Sequence, residues 1–247
     1  MQRVFLGAGL ALLFLLVLVS TAPARLVGYL VPEDQLRLSG FSGTLWEGVA
    51  SNAAVATPEG WVQLGRTRWS LSQIYLLALM PTMDIESEWG QQNLRANIRL
   101  YPSGDVLVRG LRTSFSASLI KQFMPVNLRG TLTLESPRLK FADGVPAEGR
   151  GKLLWRQAFW RGVRGSQPLG DYELNFQVPA PAGGNAQVKT LAGPIRIEGS
   201  LEVSGREYSV DASLTSDEVI DAELASALEL MATPVDGGFR LKFNSEF

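Results

Sequence analysis

Residues 83–100, MDIESEWGQQNLRANIRL, decide the fold. Met83, Ile85, Ser87 and Trp89 alternate with Asp84, Glu86 and Glu88. After Gly90-Gln91-Gln92-Asn93, Leu94, Ala96, Ile98 and Leu100 alternate with Arg95, Asn97 and Arg99. Strand side chains point to opposite faces with a period of two, so each half is a strand with one apolar and one wet face. Turn-forming residues between them make a hairpin, and hairpins with one apolar face imply an antiparallel sheet. The wet faces are acidic on the first strand and basic on the second. Cross-strand charge pairs contribute about 0.2–1 kcal/mol each, which favours a register without deciding a fold.

The pattern recurs outward from this hairpin. Pro102-Ser103-Gly104-Asp105 turns the chain into Val106–Leu111. Later strands are expected at 128–135, 172–178, 195–203, 208–214 and 239–243, with Ser204-Gly205-Arg206 and Asp236-Gly237-Gly238 as turns. Residues 179–185, Pro-Ala-Pro-Ala-Gly-Gly-Asn, read as a long hairpin loop. Three helices are expected among the strands. Ser70-Leu71-Ser72-Gln73 has the form of a capping box before Ile74–Met80, and Pro81 stops it; the helix's apolar face is expected to pack on the sheet, with contact at the membrane surface as the other reading. Ala117–Met124 is a shorter helix stopped by Pro125. Thr215-Ser216-Asp217-Glu218 is expected to cap a third, with Ile220, Leu224, Ala227, Leu228 and Met231 on one face. A weak repeat links Gly43-Thr44-Leu45-Trp46 with Gly151-Lys152-Leu153-Leu154-Trp155, so a duplicated unit with halves 36–125 and 126–247 is one reading of the body.

The N-terminus is of another kind. Arg3 is followed by an uncharged, apolar run from Val4 to Ala22. About 19 residues at 1.5 Å each approach the roughly 30 Å hydrocarbon core of a bilayer. Ala22-Pro23-Ala24 also has the small-x-small shape of a signal cleavage site, so two readings compete. The length of the run and Pro23 inside the tripeptide favour an uncleaved anchor, carried by Val4, Phe5, Leu12, Phe14, Leu16 and Val19. The early positive charge puts the N-terminus in the cytoplasm. The expected organisation is a cytoplasmic tip and transmembrane anchor at 1–24 and a periplasmic β-rich domain at 25–247. The expected fold class is mainly β with a few short α-helices, a single N-terminal transmembrane helix preceding an antiparallel, strongly twisted β-sheet body.

Composition excludes several functions. The 247 residues contain no Cys and no His, which removes disulfides, thiol nucleophiles, Cys or His metal sites and the Ser-His-Asp triad. A net charge of −1, from 23 Lys and Arg against 24 Asp and Glu, gives no basic face for nucleic acid. The chain carries no P-loop, no G-x-G-x-x-G after a strand, no G-x-S-x-G and no acidic calcium loop. Asp84, Glu86 and Glu88 share a strand face but read as a solvated ladder opposite arginines. No enzyme and no cofactor are expected. Phe247 after alternating Phe239, Leu241 and Phe243 has the form of the last strand of an outer-membrane barrel. Three helices with their prolines do not fit a lipid-facing wall, so a closing strand of a soluble sheet is expected instead.

Gly40-Phe41-Ser42-Gly43-Thr44-Leu45-Trp46-Glu47-Gly48 is the densest local signature. One reading is a strand of small residues leading to a Trp that fills the sheet's core. The other makes Trp46, with Glu47 beside it, the candidate partner contact. Together with Leu64-Gly65-Arg66-Thr67-Arg68-Trp69, Leu169-Gly170-Asp171-Tyr172, Gly193-Pro194-Ile195 and Asp236–Leu241, this signature follows the N-terminal run in an order that resembles protein N of the bacterial type II secretion system. The resemblance covers nearly the whole chain. It implies a non-enzymatic, single-pass inner-membrane protein with a periplasmic β-rich body, whose partners are other subunits of the machine that exports folded proteins across the outer membrane. A lipid-handling protein with an amphipathic sheet groove is the alternative, and it adds lipid contact to the inner membrane as a partner.

Overall fold

The computed structural model describes residues 10, 13–14, 17–57, 60–122, 127–162, 165–179, 183–204, 207–230 and 232–246. The protein is mainly β, and every described strand pairing is antiparallel. Two compact units divide at the turn that begins with Gly90: Met1–Gly90 and Gln91–Phe247.

In the first unit, α1 (Leu26–Leu30) precedes β1 (Leu36–Gly43), β2 (Glu47–Thr57) and β3 (Gly60–Leu71); α2 (Gln73–Leu77) then leads to β4 (Thr82–Trp89). The strands neighbour one another in chain order. Trp69 lies buried at the centre with Ala24 and Ala50, and Val27, Leu38 and Phe41 pack around it. Phe41 meets the Trp69 ring edge-on at 6.5 Å. Gly48 is required here, because any Cβ would run into the Trp69 indole. The acidic face of β4 meets β3, where Arg68 reaches Glu86 at 3.5 Å.

In the second unit, β5 (Gln92–Leu100) and β6 (Val106–Ser116) lead into a 3-10 helix (Ala117–Gln122). Then come β7 (Leu128–Ala142), β8 (Val145–Arg161), β9 (Ser166–Val178), β10 (Gly184–Ala192), β11 (Ile195–Ser204) and β12 (Glu207–Ser216). The chain closes with α3 (Ala222–Glu229), β13 (Thr233–Val235) and β14 (Gly238–Glu246). These strands also neighbour in order, except that β14 lies between β12 and β13. β7 and β8 join through Asp143 and Gly144, both at positive φ (51° and 79°), the geometry of a tight I′-type turn that suits an Asp-Gly pair. The core gathers where α3 lays Leu224 against Ala158, Leu169, Tyr172 and Ile195.

The expected strands are present; of the expected 179–185 hairpin loop, Gly184 and Asn185 belong to β10, and 180–182 lie outside the described residues, as do Gly205, Arg206 and the terminal Phe247. The helix starts differ. Ser70 and Leu71 belong to β3, where Ser70 pairs with Glu47 and Asp84, so the expected capping box does not form and the helix begins after Ser72. Sheet pairing outcompetes local capping there. Likewise Thr215 and Ser216 stay in β12, and Asp221 is the cap, accepting from the amides of Glu223 and Leu224. Ala117–Gln122 is a 3-10 helix, with Met124 outside the described residues. Ile220, Leu224 and Leu228 do share the face that meets the core; Met231 lies outside the description.

The expected packing of Ile74–Met80 on the sheet is overturned. Ile74 is 78 % and Leu79 74 % exposed. The Ser72 amide donates to the Thr82 carbonyl at 2.9 Å, closing the loop at its base, so the five-residue helix lies in a loop beyond the paired part of β3 and β4.

Candidate functional site

The site grows from the tight turn between β1 and β2. Gly43 has φ 85°, the Thr44 amide donates to the Glu47 carbonyl at 2.8 Å, and the Glu47 amide returns a bond to Thr44 Oγ1 at 3.1 Å. This closes Leu45 and Trp46 into a knuckle at the end of the sheet. The N-terminal segment docks on that knuckle. The Leu45 amide donates to the Ala22 carbonyl at 2.7 Å, the Ala24 amide donates to the Gly43 carbonyl at 3.1 Å, and Pro23 and Thr44 form an isolated bridge.

Residues 17–20 are helical up to this point. At the helix end the Val17 carbonyl accepts from the Thr21 amide at 3.0 Å and the Val19 carbonyl from the Ala22 amide at 3.2 Å, and side chains add a bond to each. Ser20 and Thr21 hydroxyls donate back to the Val17 carbonyl at 2.9 and 2.8 Å. The Trp46 indole donates to the Val19 carbonyl at 2.8 Å. On the other side, the Trp69 indole donates to the Leu45 carbonyl at 3.0 Å and the Leu71 amide to the Trp46 carbonyl at 2.6 Å. The knuckle is therefore bonded both to the helix end and to β3.

Trp46 is only 8 % exposed and its single donor is used, so its surface faces the protein itself; Glu47 beside it is exposed. The sequence marks Trp46 but carries no local sign of its bond to Val19, which is 27 residues away. Of the residues expected in the anchor, Phe14 and Val19 are helical and exposed, whereas Val4, Phe5, Leu12 and Leu16 lie outside the described residues. Among the described residues, no helix is long and apolar enough to cross a membrane. No group of three or more acidic residues there could hold a metal ion.

The second unit presents two contrasting faces. One polar row runs in register through Arg95, Arg112, Glu135, Lys152, Asn175, Gln187, Ser200, Asp211 and Lys242. Much of it lines an open trough of about 810 Å³. One residue along, Leu134, Leu153, Leu174 and Val188 form an apolar row on the opposite face. Phe176, Leu201 and Val210 continue that face by alternation.

Ion pairs hold four carboxyls below the ordinary range. Lys140 donates to Asp105 at 2.8 Å, and Lys152 to Glu135 at 3.1 Å with Arg112 at 3.2 Å. Asn175 and then Lys189 hold down Glu173, at 2.8 and 3.0 Å, and Arg240 holds down Asp211 at 3.0 Å. A depressed folded pKa gives stabilisation that is complete above the ordinary values of 3.8 for Asp and 4.5 for Glu. It is lost as pH falls through the folded pKa. With no His to titrate near neutrality, the melting temperature is expected to stay flat from about pH 6 to 9 and to drop below about pH 4.5. A melting-temperature step between pH 6 and 7 in calorimetry would contradict this.

Three comparisons bear on the molecule. The profile of the family described as type II secretion system (T2SS), protein N, matches residues 34–242. A type II secretion system protein N of Klebsiella pneumoniae is 32 % identical over 179 residues, covering 70 % of this chain and 65 % of that protein. One from Aeromonas hydrophila is 26 % identical over 253 residues, covering 98 % of both. The match therefore spans just under two thirds of the Klebsiella protein's length and nearly all of the Aeromonas one. No solved structure matches the chain.

Proposed function

The chain belongs to the type II secretion system protein N family, and from that membership we propose that it is a non-enzymatic, inner-membrane-anchored periplasmic component of the secretion apparatus. In this reading residues 1–24 form the cytoplasmic tip and the single transmembrane anchor, with the N-terminus in the cytoplasm. Residues 25–247 form the periplasmic body, with 36–125 and 126–247 as related halves. The body supports export of folded proteins by contacting other subunits of the apparatus.

The observation that carries the reading is the seating of the N-terminal helix end on the Gly43–Glu47 knuckle. Backbone bonds and the Trp46–Val19 bond leave no slack between the apolar segment and the sheet. A body held this way keeps a fixed orientation to its membrane, which suits a docking component better than a tethered, freely tumbling one. Contacts are proposed at exposed Glu47 beside the knuckle and along β1, the terminal strand of its unit, by strand addition.

Cross-linking cells that express the full chain, followed by affinity capture, is expected to recover other secretion-system subunits. Recovery of none would overturn the reading. The apolar face of the second unit favours one alternative, a lipid-handling protein, since α3 covers only its Trp155–Tyr172 end. Stoichiometric phospholipid in native mass spectra of the same preparation would favour that alternative.

A further inference from the structure

The exposed apolar loop between β3 and β4 has no role in the reading above. Between Arg68 and Asp84 the chain carries no charge at all, and at its tip Ile74 and Leu79 are 78 % and 74 % exposed, with Tyr75 and Leu76 beside them at 41 % and 40 %. Leu79 holds φ 56°, a left-handed conformation that costs an ordinary L-residue about 1–2 kcal/mol. Apolar side chains displayed at such a cost need a solvent other than water, or the display is a net loss.

The position of the loop identifies that solvent. Strand register puts the β1–β2 knuckle and the β3–β4 loop at one end of the first unit: Gly43 pairs with Gly48, Glu47 with Ser70, and Ser70 with Asp84. Two hydrogen bonds, Leu71 to Trp46 and Trp46 to Val19, are all that separate the base of the loop from the end of the N-terminal helix. The uncharged run 4–22 therefore arrives at the same end at which the uncharged tip 73–80 protrudes.

We propose that residues 73–80 are a second membrane contact, with Ile74, Tyr75, Leu76 and Leu79 inserted into the interfacial layer of the bilayer that the N-terminal segment enters. The inference rests on the anchor reading. Short apolar loops seat at the boundary between headgroups and acyl chains, about 5–10 Å deep, and a tyrosine suits that depth. With the helix on one side and the loop on the other, the sheet end is held at two points. A single helix alone would let it rotate.

The natural absence of cysteine makes the test direct. Full-length Ile74→Cys, Phe14→Cys and Thr57→Cys proteins, each labelled with an environment-sensitive fluorophore, are reconstituted in phosphatidylcholine–phosphatidylglycerol vesicles containing either shallow- or deep-nitroxide lipid, the deep probe reading residue 14 near the bilayer centre. Thr57 marks the far end of β2 and β3, about 35 Å along the strands from the loop. The proposal expects a blue-shifted label at residue 74, quenched about two-fold by the nitroxide lipid, and an unaffected label at 57. Quenching at 14 without quenching at 74 overturns the loop contact and leaves the anchor standing. Quenching at 74 without quenching at 14 overturns the anchor reading and with it the two-point attachment. A blue-shifted label at 74 that no nitroxide lipid quenches means that protein covers the loop, and also overturns the proposal.

Discussion

Replacing Trp69 with alanine is expected to destabilise the first unit by about 3–5 kcal/mol, the range for emptying a buried aromatic site. The indole fills the space between Ala24, Ala50 and Phe41 and donates the hydrogen bond that fixes Leu45. Nothing nearby can collapse into the gap: Gly48 faces the ring because no Cβ fits, and the alanines are already the smallest side chains that cover it. Loss of Trp69 also frees one side of the knuckle that seats the N-terminal helix. Urea denaturation of the detergent-solubilised chain, followed by far-UV circular dichroism, measures the cost. Tyr29→Ala, at a residue 85 % exposed, serves as the control and is expected within about 0.5 kcal/mol of the parent. A Trp69→Ala loss below about 1 kcal/mol would refute its place as the centre of the unit.

The second large effect falls in the other unit. Tyr172 is buried against Trp155, with ring centroids 5.7 Å apart, and its hydroxyl sits 2.8 Å from the Leu169 carbonyl and 3.0 Å from that of Ile195. Tyr172→Ala is expected to cost about 3–5 kcal/mol. Tyr172→Phe keeps the ring but strips a donor from two carbonyls, and should cost about 1–3 kcal/mol. If both variants cost the same, the hydroxyl rather than the ring carries the effect, and the packing argument fails. Burial pushes the phenol's pKa above its ordinary 10.0. The folded chain therefore keeps a proton that the unfolded chain releases, and stability falls as pH rises past about 10. Tyr172→Phe should remove the tyrosine's share of that alkaline decline and leave the share of Lys140, whose pKa its bond to Asp105 raises.

Where the sequence was legible, one face of a strand was apolar along its whole length. The strands at 94–100, 195–203 and 208–214 announce themselves in this way. β8 does not, and the reason lies in its middle. Gln157 adopts φ 50°, with its amide bonded to Asp171 Oδ1 at 2.7 Å, so the strand gains a bulge between Trp155 and Ala158. The bulge brings Trp155, Ala158 and Trp160 to the same core, a spacing of three and then two that no alternation test detects. Helix starts were misplaced for a related reason: Ser70 and Thr215 have the side chains of caps but backbones claimed by neighbouring strands. At the candidate site, the sequence could mark Trp46 as unusual. It could not show that the indole's partner is a carbonyl 27 residues earlier, because a backbone acceptor leaves no trace in residue identity.

The ordering of strands also governs how the molecule comes to be folded. Within each unit nearly every strand pairs with the one made just before it, and only the three-residue β13 must yield its place to β14. Loops that close such neighbours are short, so little entropy is lost before each new pairing returns its hydrogen bonds. A chain delivered amino-end first can therefore zip up strand by strand as it emerges. The exposed edge that invites misassembly is at every moment the one the next segment is about to cover.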